Sequence, residues 1–300
     1  MLTVTILGSN SAIPANNRNP SSQFVQSENA AYLVDCGEGT QLQLNKYKLK
    51  WSRISHIFIS HLHGDHYFGL IGLITTMSLL GRKKVLHIYG PEKLKSIIDL
   101  QLSVAGSVLP FELFFHPLGE NGEIANDEQV SISSFRVDHR IDCWGFIFRE
   151  RKFPRKIIPQ MVAAYEVPYS FYKNLQLGEN YINAKGTIVS NADLTEAAPA
   201  PRSYAYCADT IFSDKFLDDI KGVNLLYHES TYLKSDVAKA IARFHCTSEQ
   251  AATTAKKANV EKLIIGHFSS RYDNLESFAE EARAVFPNTE LAIEGKTFEV

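Results

Sequence analysis

Apolar and polar residues alternate over 2–7 (Leu2, Val4, Ile6), 54–59 and 130–137, the period of two that a half-buried strand requires. Shorter apolar, β-rich runs at 30–34, 84–89, 203–207, 223–227 and 260–265 predict further strands, and a closing strand starts at Glu290. Helical spacing takes over after His66, where Phe68, Leu70, Ile71, Leu73, Ile74, Met77 and Leu80 line one face. Gly90-Pro91 opens a helix from Glu92 to about Leu102, another begins at Thr247, and a third covers 274–285. Thr247 and Gln250 stand at capping-box spacing, which fixes the start of the helix that follows. Strands interleaved with helices predict an α/β fold.

Between about Arg149 and Arg202 this regularity stops. Five of the eleven prolines fall here, so only short helical pieces fit. Residues 149–173 hold Arg149, Arg151, Lys152, Arg155, Lys156 and Lys173 against Glu150 and Glu166, with Tyr165, Tyr169, Phe171 and Tyr172 interleaved. The expectation is a single domain over 1–300 with 149–202 inserted as a projecting arm. Its aromatics either stack on bases or fill a small core within the arm.

Composition narrows the classes. With 45% hydrophobic and 21% charged residues, 300 positions suit one large globular core. A net charge of −2 excludes a broadly basic nucleic-acid binder, so any RNA contact must come from a local patch. Cys36, Cys143, Cys207 and Cys246 are scattered without a Cys-x-x-Cys pair and are expected as buried free thiols in a reducing compartment, the cytoplasm. The apolar start is short and lacks a basic leader, and no run reaches the ~18 apolar residues of a membrane span, so no membrane association is expected.

The candidate chemistry sits directly behind the 54–59 strand. His61, His63, Asp65 and His66 fall within six positions, in a loop between strand and helix. In an extended stretch, residues two apart point the same way, so His61 and His63 can share one metal ion while Asp65 and His66 turn toward a second. Imidazole and carboxylate without thiolate favour zinc, with manganese or iron possible. Other strand ends deliver Asp138-His139, Asp209 and His267, and sites in α/β sheets gather at such carboxyl ends. Asp35, in a glycine-bounded turn, either braces the metal loop or caps the turn. His56, His87, His116 and His228 are expected to be structural.

His61-x-His63-x-Asp65-His66 resembles the signature of the metallo-β-lactamase superfamily, and the resemblance narrows to ribonuclease Z, the endonuclease that trims the 3′ ends of precursor tRNA, over nearly the whole chain. It implies an αββα sandwich of the metallo-β-lactamase type, with the arm as a tRNA-gripping exosite. It implies one metal on His61, His63 and His139, a second on Asp65, His66 and His267, and Asp209 bridging both; all seven positions carry the expected residue. His245 would then serve the phosphate or leaving group, oriented by Glu229, and Asp65 would orient the attacking water or take its proton. The implied activity is a zinc-dependent endoribonuclease, two ions per chain with Mn2+ or Fe2+ as possible substitutes, acting on precursor tRNA as a homodimer and leaving a 3′-hydroxyl.

The loop 9–22, with Pro14, Arg18 and Asn19, matches one at the mouth of the family's site and is either a surface turn or a substrate contact. Three departures touch the mode of tRNA docking and spare the metal positions. Gly69-Leu70-Ile71-Gly72 stands for Gly-Leu-Pro-Gly, Cys246 for the serine of His-Ser-Thr, and Val167-Pro168-Tyr169-Ser170 lacks a Gly-Pro bend. Two other classes compete: a small-molecule metallo-hydrolase of the same fold, such as a phosphodiesterase or thioesterase, and a binding protein on a scaffold that has lost catalysis.

Overall fold

Alternation along the first strand sorts its side chains to two sides: Val4 and Ile6 enter one core, Leu7 another. The computed structural model, which describes residues 2–28 and 30–300, extends this sorting through two seven-stranded sheets. The first holds β1 (Thr3–Gly8), β2 (Ser22–Gln26), β3 (Ala31–Cys36), β4 (Ile54–Phe58), β5 (Leu86–Gly90) and β6 (Leu113–Pro117), hydrogen-bonded in that order. β1 to β3 are antiparallel, β3 to β6 parallel. The second holds β7 (Gly122–Asn126), β8 (Val130–Val137), β9 (Cys143–Glu150), β10 (Ser203–Cys207), β11 (Leu225–Glu229), β12 (Lys262–Gly266) and β13 (Thr289–Leu291), again in chain order. β14 (Thr297–Glu299) returns to the first sheet, antiparallel to β1.

The sheets meet over an aromatic core. Tyr32 and Phe58 of the first pack on Phe146 and Phe148 of the second, with ring centroids 5.4–5.6 Å apart. On the outer side of the first sheet, Leu33, Ile57 and Ile88 pack under α3 (Leu70–Leu79) and α4 (Lys93–Val104) through Leu73, Ile74, Met77 and Leu94. Behind the second sheet lie α6 (Ser248–Lys257), through Ala251 and Ala255, and α7 (Glu276–Val285), through Phe278 and Ala282. Two further short helices, α1 (Thr40–Lys46) and α2 (Gly64–Tyr67), belong to the first half, and α5 (Val237–Arg243) to the second. The result is an αββα sandwich, and strands buried on both faces explain the runs of apolar residues.

Several elements depart from the sequence expectation. β2, β6, β7 and β9 carry no clear alternation and were not foreseen. The closing strand is two strands in different sheets, separated by a turn in which Gly295 takes φ 83°. The helix after His66 breaks at Gly69, whose N–H donates to the Cys36 carbonyl at 2.9 Å and whose Cα lies so near Gly37 that a Cβ would sit 2.3 Å from its oxygen. Phe68 and Leu80, placed on the buried face by spacing, are 63% and 62% exposed. Among the described residues no helix is long and apolar enough to cross a membrane.

Residues Glu150–Pro201 form a second compact unit. Its core is Val162, Val167, Leu175, Val189 and Leu194, with Phe171 and Tyr172 packed against it. Tyr165 and Tyr169 are exposed, so the aromatics of this segment divide between its core and its surface. Arg155 is spent internally, its Nε donating to the Thr195 hydroxyl at 2.7 Å.

The core on the outer face of the second sheet tolerates no added volume at Gly145 on β9, where a Cβ would sit 2.1 Å from the Phe135 ring. Gly145→Ala should therefore cost about 1–3 kcal/mol through overpacking, read as a lower urea midpoint with unchanged slope.

Candidate metal centre

All but one of the candidate side chains follow the end of a strand. His61 and His63 follow β4, with Asp65 and His66 on the first turn of α2; His139 follows β8, Asp209 follows β10, Glu229 ends β11 and His267 follows β12. These are carboxyl ends of strands, where loops converge. His245 lies between α5 and α6, and the capping box forms, Thr247 accepting from Gln250 N–H and the Gln250 side chain accepting from Thr247 N–H. Asp35, Phe244 and His267 hold left-handed backbone at φ 56°, 58° and 61°, conformations that cost a non-glycine residue free energy and cluster around this centre.

The donors converge in two groups. In the first, His61 Nε2 lies 3.0 Å from His63 Nδ1, and His139 Nε2 lies 3.1 Å from the same nitrogen. Asp209 Oδ2 closes this group 3.6 Å from His61 Nε2. In the second, the Nε2 atoms of His66 and His267 are 3.3 Å apart, and Asp65 Oδ2 is 3.3 Å from His267 and 3.6 Å from His66. Asp209 Oδ1 faces this group at 3.4 Å from His66 and 3.3 Å from His267. Metal–nitrogen bonds of about 2.0–2.1 Å in a tetrahedron put neighbouring donors about 3.3 Å apart, so both groups fit a divalent ion. Asp209 Oδ1 is buried without a hydrogen-bond partner, which a shared metal ligand explains.

Outside these donors a second layer holds the rings. His66 Nδ1 contacts Asp35 Oδ2 at 2.7 Å, His61 Nδ1 contacts the Ser60 hydroxyl at 3.0 Å, and that hydroxyl donates to Asp35 Oδ2 at 2.9 Å. The other half repeats the device: His267 Nδ1 meets the Thr231 hydroxyl at 2.9 Å, which donates to Glu229 Oε2 at 2.9 Å. His139 Nδ1 donates to the Phe244 carbonyl at 2.9 Å. Fixing Nδ1 leaves Nε2 turned toward the centre and free to take a metal in all four rings. His63 alone presents Nδ1. Asp35 thus braces the metal loop and is not merely a turn cap.

Electrostatics agree with cation binding. Burial, with neighbouring imidazoles, pushes His61 well down and His63 down to about 4, so both are neutral, the ligating form. Burial pushes the carboxyls of Asp65 and Asp209 up, but His66 and His267 outweigh it and hold both well below the usual carboxylate range. His66 is driven up despite its burial by Asp209, Asp65 and Asp35. Buried carboxylates in this number demand positive charge.

A cavity of about 590 Å3 opens onto the centre, lined by His63, Asp65, Asp209, His245 and His267, with exposed Arg140, Arg243 and Arg271 among its walls. His245 Nδ1 lies 3.0 Å from Glu229 Oε1, and although burial lowers its pKa, Glu229 and Asp209 raise it further. Its Nδ1 is 4.0 Å from Asp209 and committed to Glu229, so His245 stands beside the metal donors. The arginines were missed from sequence; Arg271, four residues past His267, was the most findable.

Pro14, Arg18 and Asn19 do not line this cavity. Arg18 bonds Asn10 Oδ1 at 3.0 Å and the Tyr272 and Asp273 carbonyls, and Asn19 Nδ2 bonds Glu294 at 2.9 Å, so the loop is stitched to the body. The loop reaches the centre at Ala12, whose N–H donates to Asp65 Oδ2 at 2.7 Å. On the first sheet His56 stacks on both His87 and Tyr89, and Tyr89 stacks on His116, while buried His228 donates to the Glu229 carbonyl at 2.7 Å.

The metallo-β-lactamase fold protein YhfI from Bacillus subtilis matches with a TM-score of 0.70 at 19% identity, covering 100% of this chain and 99% of its own. This likeness shows the metallo-β-lactamase fold. The family model described as Anti-Pycsar protein Apyc1 matches residues 2–153, half of the chain, and that half belongs with it; the match ends before Asp209, His245 and His267. Human tRNase Z, short form, matches with a TM-score of 0.71 at 27% identity over 99% of this chain and 98% of that one. Ribonuclease Z of Bacteroides fragilis (strain YCH46) is 42% identical over 96% of each chain, and that of Parabacteroides distasonis is 41% identical over 99% of this chain and 98% of its own. The chain belongs to the ribonuclease Z family.

Asp209 offers one oxygen to each donor group, so Asp209→Ala should lower bound divalent metal in both. Elemental analysis after dialysis, with circular dichroism to verify the fold, checks this; full metal content would remove Asp209 from the centre.

Proposed function

We propose that this chain is an endoribonuclease that removes the 3′ trailer of precursor tRNA, leaving a 3′-hydroxyl on the tRNA and a 5′-phosphate on the trailer. One observation carries the reading: a single open cavity unites two metal-donor groups sharing Asp209 with a charged His245–Glu229 pair, in a ribonuclease Z chain. The enzyme is a metal-dependent phosphodiester hydrolase. We assign the metal as two zinc ions, one held by His61, His63, His139 and Asp209 and the other by Asp65, His66, His267 and Asp209, with Mn2+ or Fe2+ as substitutes. When bound, such ions supply positive charge for the phosphate oxygens and lower the pKa of water toward ~7.

The chain's own groups do the rest. Asp65, kept ionised and held by the Ala12 N–H, orients the attacking water and accepts its proton. Bond breaking leaves charge on the 3′ oxygen, and His245, its Nδ1 anchored on Glu229, donates the proton from Nε2. Arg140, Arg243 and Arg271 offer charge to flanking phosphates.

The 149–202 segment serves, in this reading, as an exosite arm of the single domain that grips tRNA. Exposed Arg151, Lys152 and Lys173, with Tyr165 and Tyr169, support it. Four buried free thiols support a cytoplasmic setting. Exposed Leu79, Val104 and Val108 supply apolar surface for a homodimer.

The direct experiment is incubation with precursor tRNA bearing a 3′ trailer, with and without chelator. Chelator-sensitive release of an intact trailer is expected; hydrolysis of small phosphodiesters alone would favour a small-molecule enzyme. His245→Ala should retain its metals yet lose on the order of 10²–10⁴ in turnover, the worth of a general acid. Metal loss in that variant would make His245 a ligand.

Replacing 154–198 by a short Gly-Ser linker should preserve hydrolysis of a small phosphodiester while precursor-tRNA cleavage collapses through binding. Charge reversal at Arg151, Lys152 and Lys173 should act more mildly and flatten the salt dependence. Unchanged tRNA cleavage by the shortened chain would remove the arm as exosite.

A further inference from the structure

The Asp35 carboxylate has no exposure to solvent and takes donors from both sheets. From the first half, Ser60 N–H donates to Oδ1 at 2.8 Å, and the Ser60 hydroxyl and His66 Nδ1 reach Oδ2 at 2.9 and 2.7 Å. The remaining donor crosses the interior: the Tyr206 hydroxyl, on β10 of the second sheet, donates to Oδ2 at 2.6 Å, the shortest of the set. Tyr206 is itself held tightly, 2% exposed and stacked on Tyr227 with centroids 5.0 Å apart and planes at 11°. Burial and the Asp35 charge push its hydroxyl well up, so it stays protonated and remains a donor.

We propose that Tyr206 is a positioning residue for the metal centre: from the opposite sheet its hydroxyl sets the Asp35 carboxylate, which orients His66 directly and His61 through Ser60. This rests on the two-ion reading above and adds to it a residue that touches neither ion nor substrate. A carboxylate rotates about a single bond, and donors from one strand end hold it from one side only. The Tyr206 bond supplies the second anchor, so the aim of one ring in each donor group depends on how the second sheet docks on the first. Groups behind metal ligands commonly influence affinity by 10–100-fold, and one step further out the effect belongs at the low end of that range.

The strand carries its own control. Tyr204, also on β10 and fully buried, donates its hydroxyl to Gln23, outside the donors of either metal group. Tyr206→Phe and Tyr204→Phe each delete one buried hydroxyl and keep the ring. Zinc affinities of the full chain, stripped of metal, are measured by competition with a chromophoric chelator. Tyr206→Phe should bind at least one ion about tenfold more weakly, while Tyr204→Phe matches the parent. The double variant with Asp35→Asn should bind no more weakly than Asp35→Asn alone, because Tyr206 acts through that carboxylate.

Unchanged or tighter binding by Tyr206→Phe, an equal loss in Tyr204→Phe, or additive losses in the double variant overturns the proposal. If Tyr206→Phe does not fold, 3-fluorotyrosine at 206, of nearly the same shape but a stronger donor, must shift zinc affinity where the same replacement at 204 does not; no shift at 206 overturns it. A parent chain that takes up no second ion overturns the two-ion reading and this proposal together. Two ions in the parent with an unshifted Tyr206→Phe overturns this proposal alone.

Discussion

Four carboxylates, Asp35, Asp65, Asp209 and Glu229, stand almost without water at one end of the sandwich, and the surrounding structure is arranged around their charge. Buried ionised carboxylates survive only when donors or cations surround them. Here the donors are imidazole rings, the hydroxyls of Ser60, Thr231 and Tyr206, and backbone N–H groups, and the orphaned Asp209 Oδ1 marks where hydrogen bonds give out. A site built this way is incomplete as protein alone. A divalent metal would complete it, and the donor groups are spaced to hold one.

The two halves solve the same problem with the same parts. One uses Asp35 and Ser60 to hold His66 and His61; the other uses Glu229 and Thr231 to hold His267, and Glu229 also holds His245. Carboxylate, hydroxyl and imidazole in series fix which nitrogen is free without placing a second charge beside the metal. Glu229 therefore holds two rings, His267 through Thr231 and His245 directly, so in the proposed reading metal holding and bond breaking share one anchor. The left-handed backbone at Asp35, Phe244 and His267 is the conformational cost of that convergence.

The Glu150–Pro201 unit obeys different rules. It builds a small core from Val162, Leu175 and Leu194 and spends Phe171, Tyr172 and Arg155 on itself. Charges that are free to meet a phosphate backbone are fewer than its sequence suggests: Arg151, Lys152 and Lys173 remain exposed, while Lys156 lies 3.4 Å from Glu196.

Strong alternation and dense local motifs were enough to define the α/β character, the strands 2–7 and 130–137, the capping box at Thr247, and the closeness of His61, His63, Asp65 and His66, because each depends on neighbours within a few residues. Weakly alternating strands such as β2 and β9, and the division of the closing strand between two sheets, were invisible, since pairing across the sheet decides them. Asp209, His245 and His267 are far apart in the chain, and only the parallel pairing of β10, β11 and β12 within the second sheet, with the α5–α6 connection beside it, sets their nitrogens and oxygens 3.3–4.0 Å apart. That His63 turns Nδ1 inward, that Arg18 serves the scaffold, and that Tyr206 reaches Asp35 are likewise facts of tertiary structure. Side-chain direction at a strand end follows from what stands opposite it, and the chain brings that partner from more than a hundred residues away.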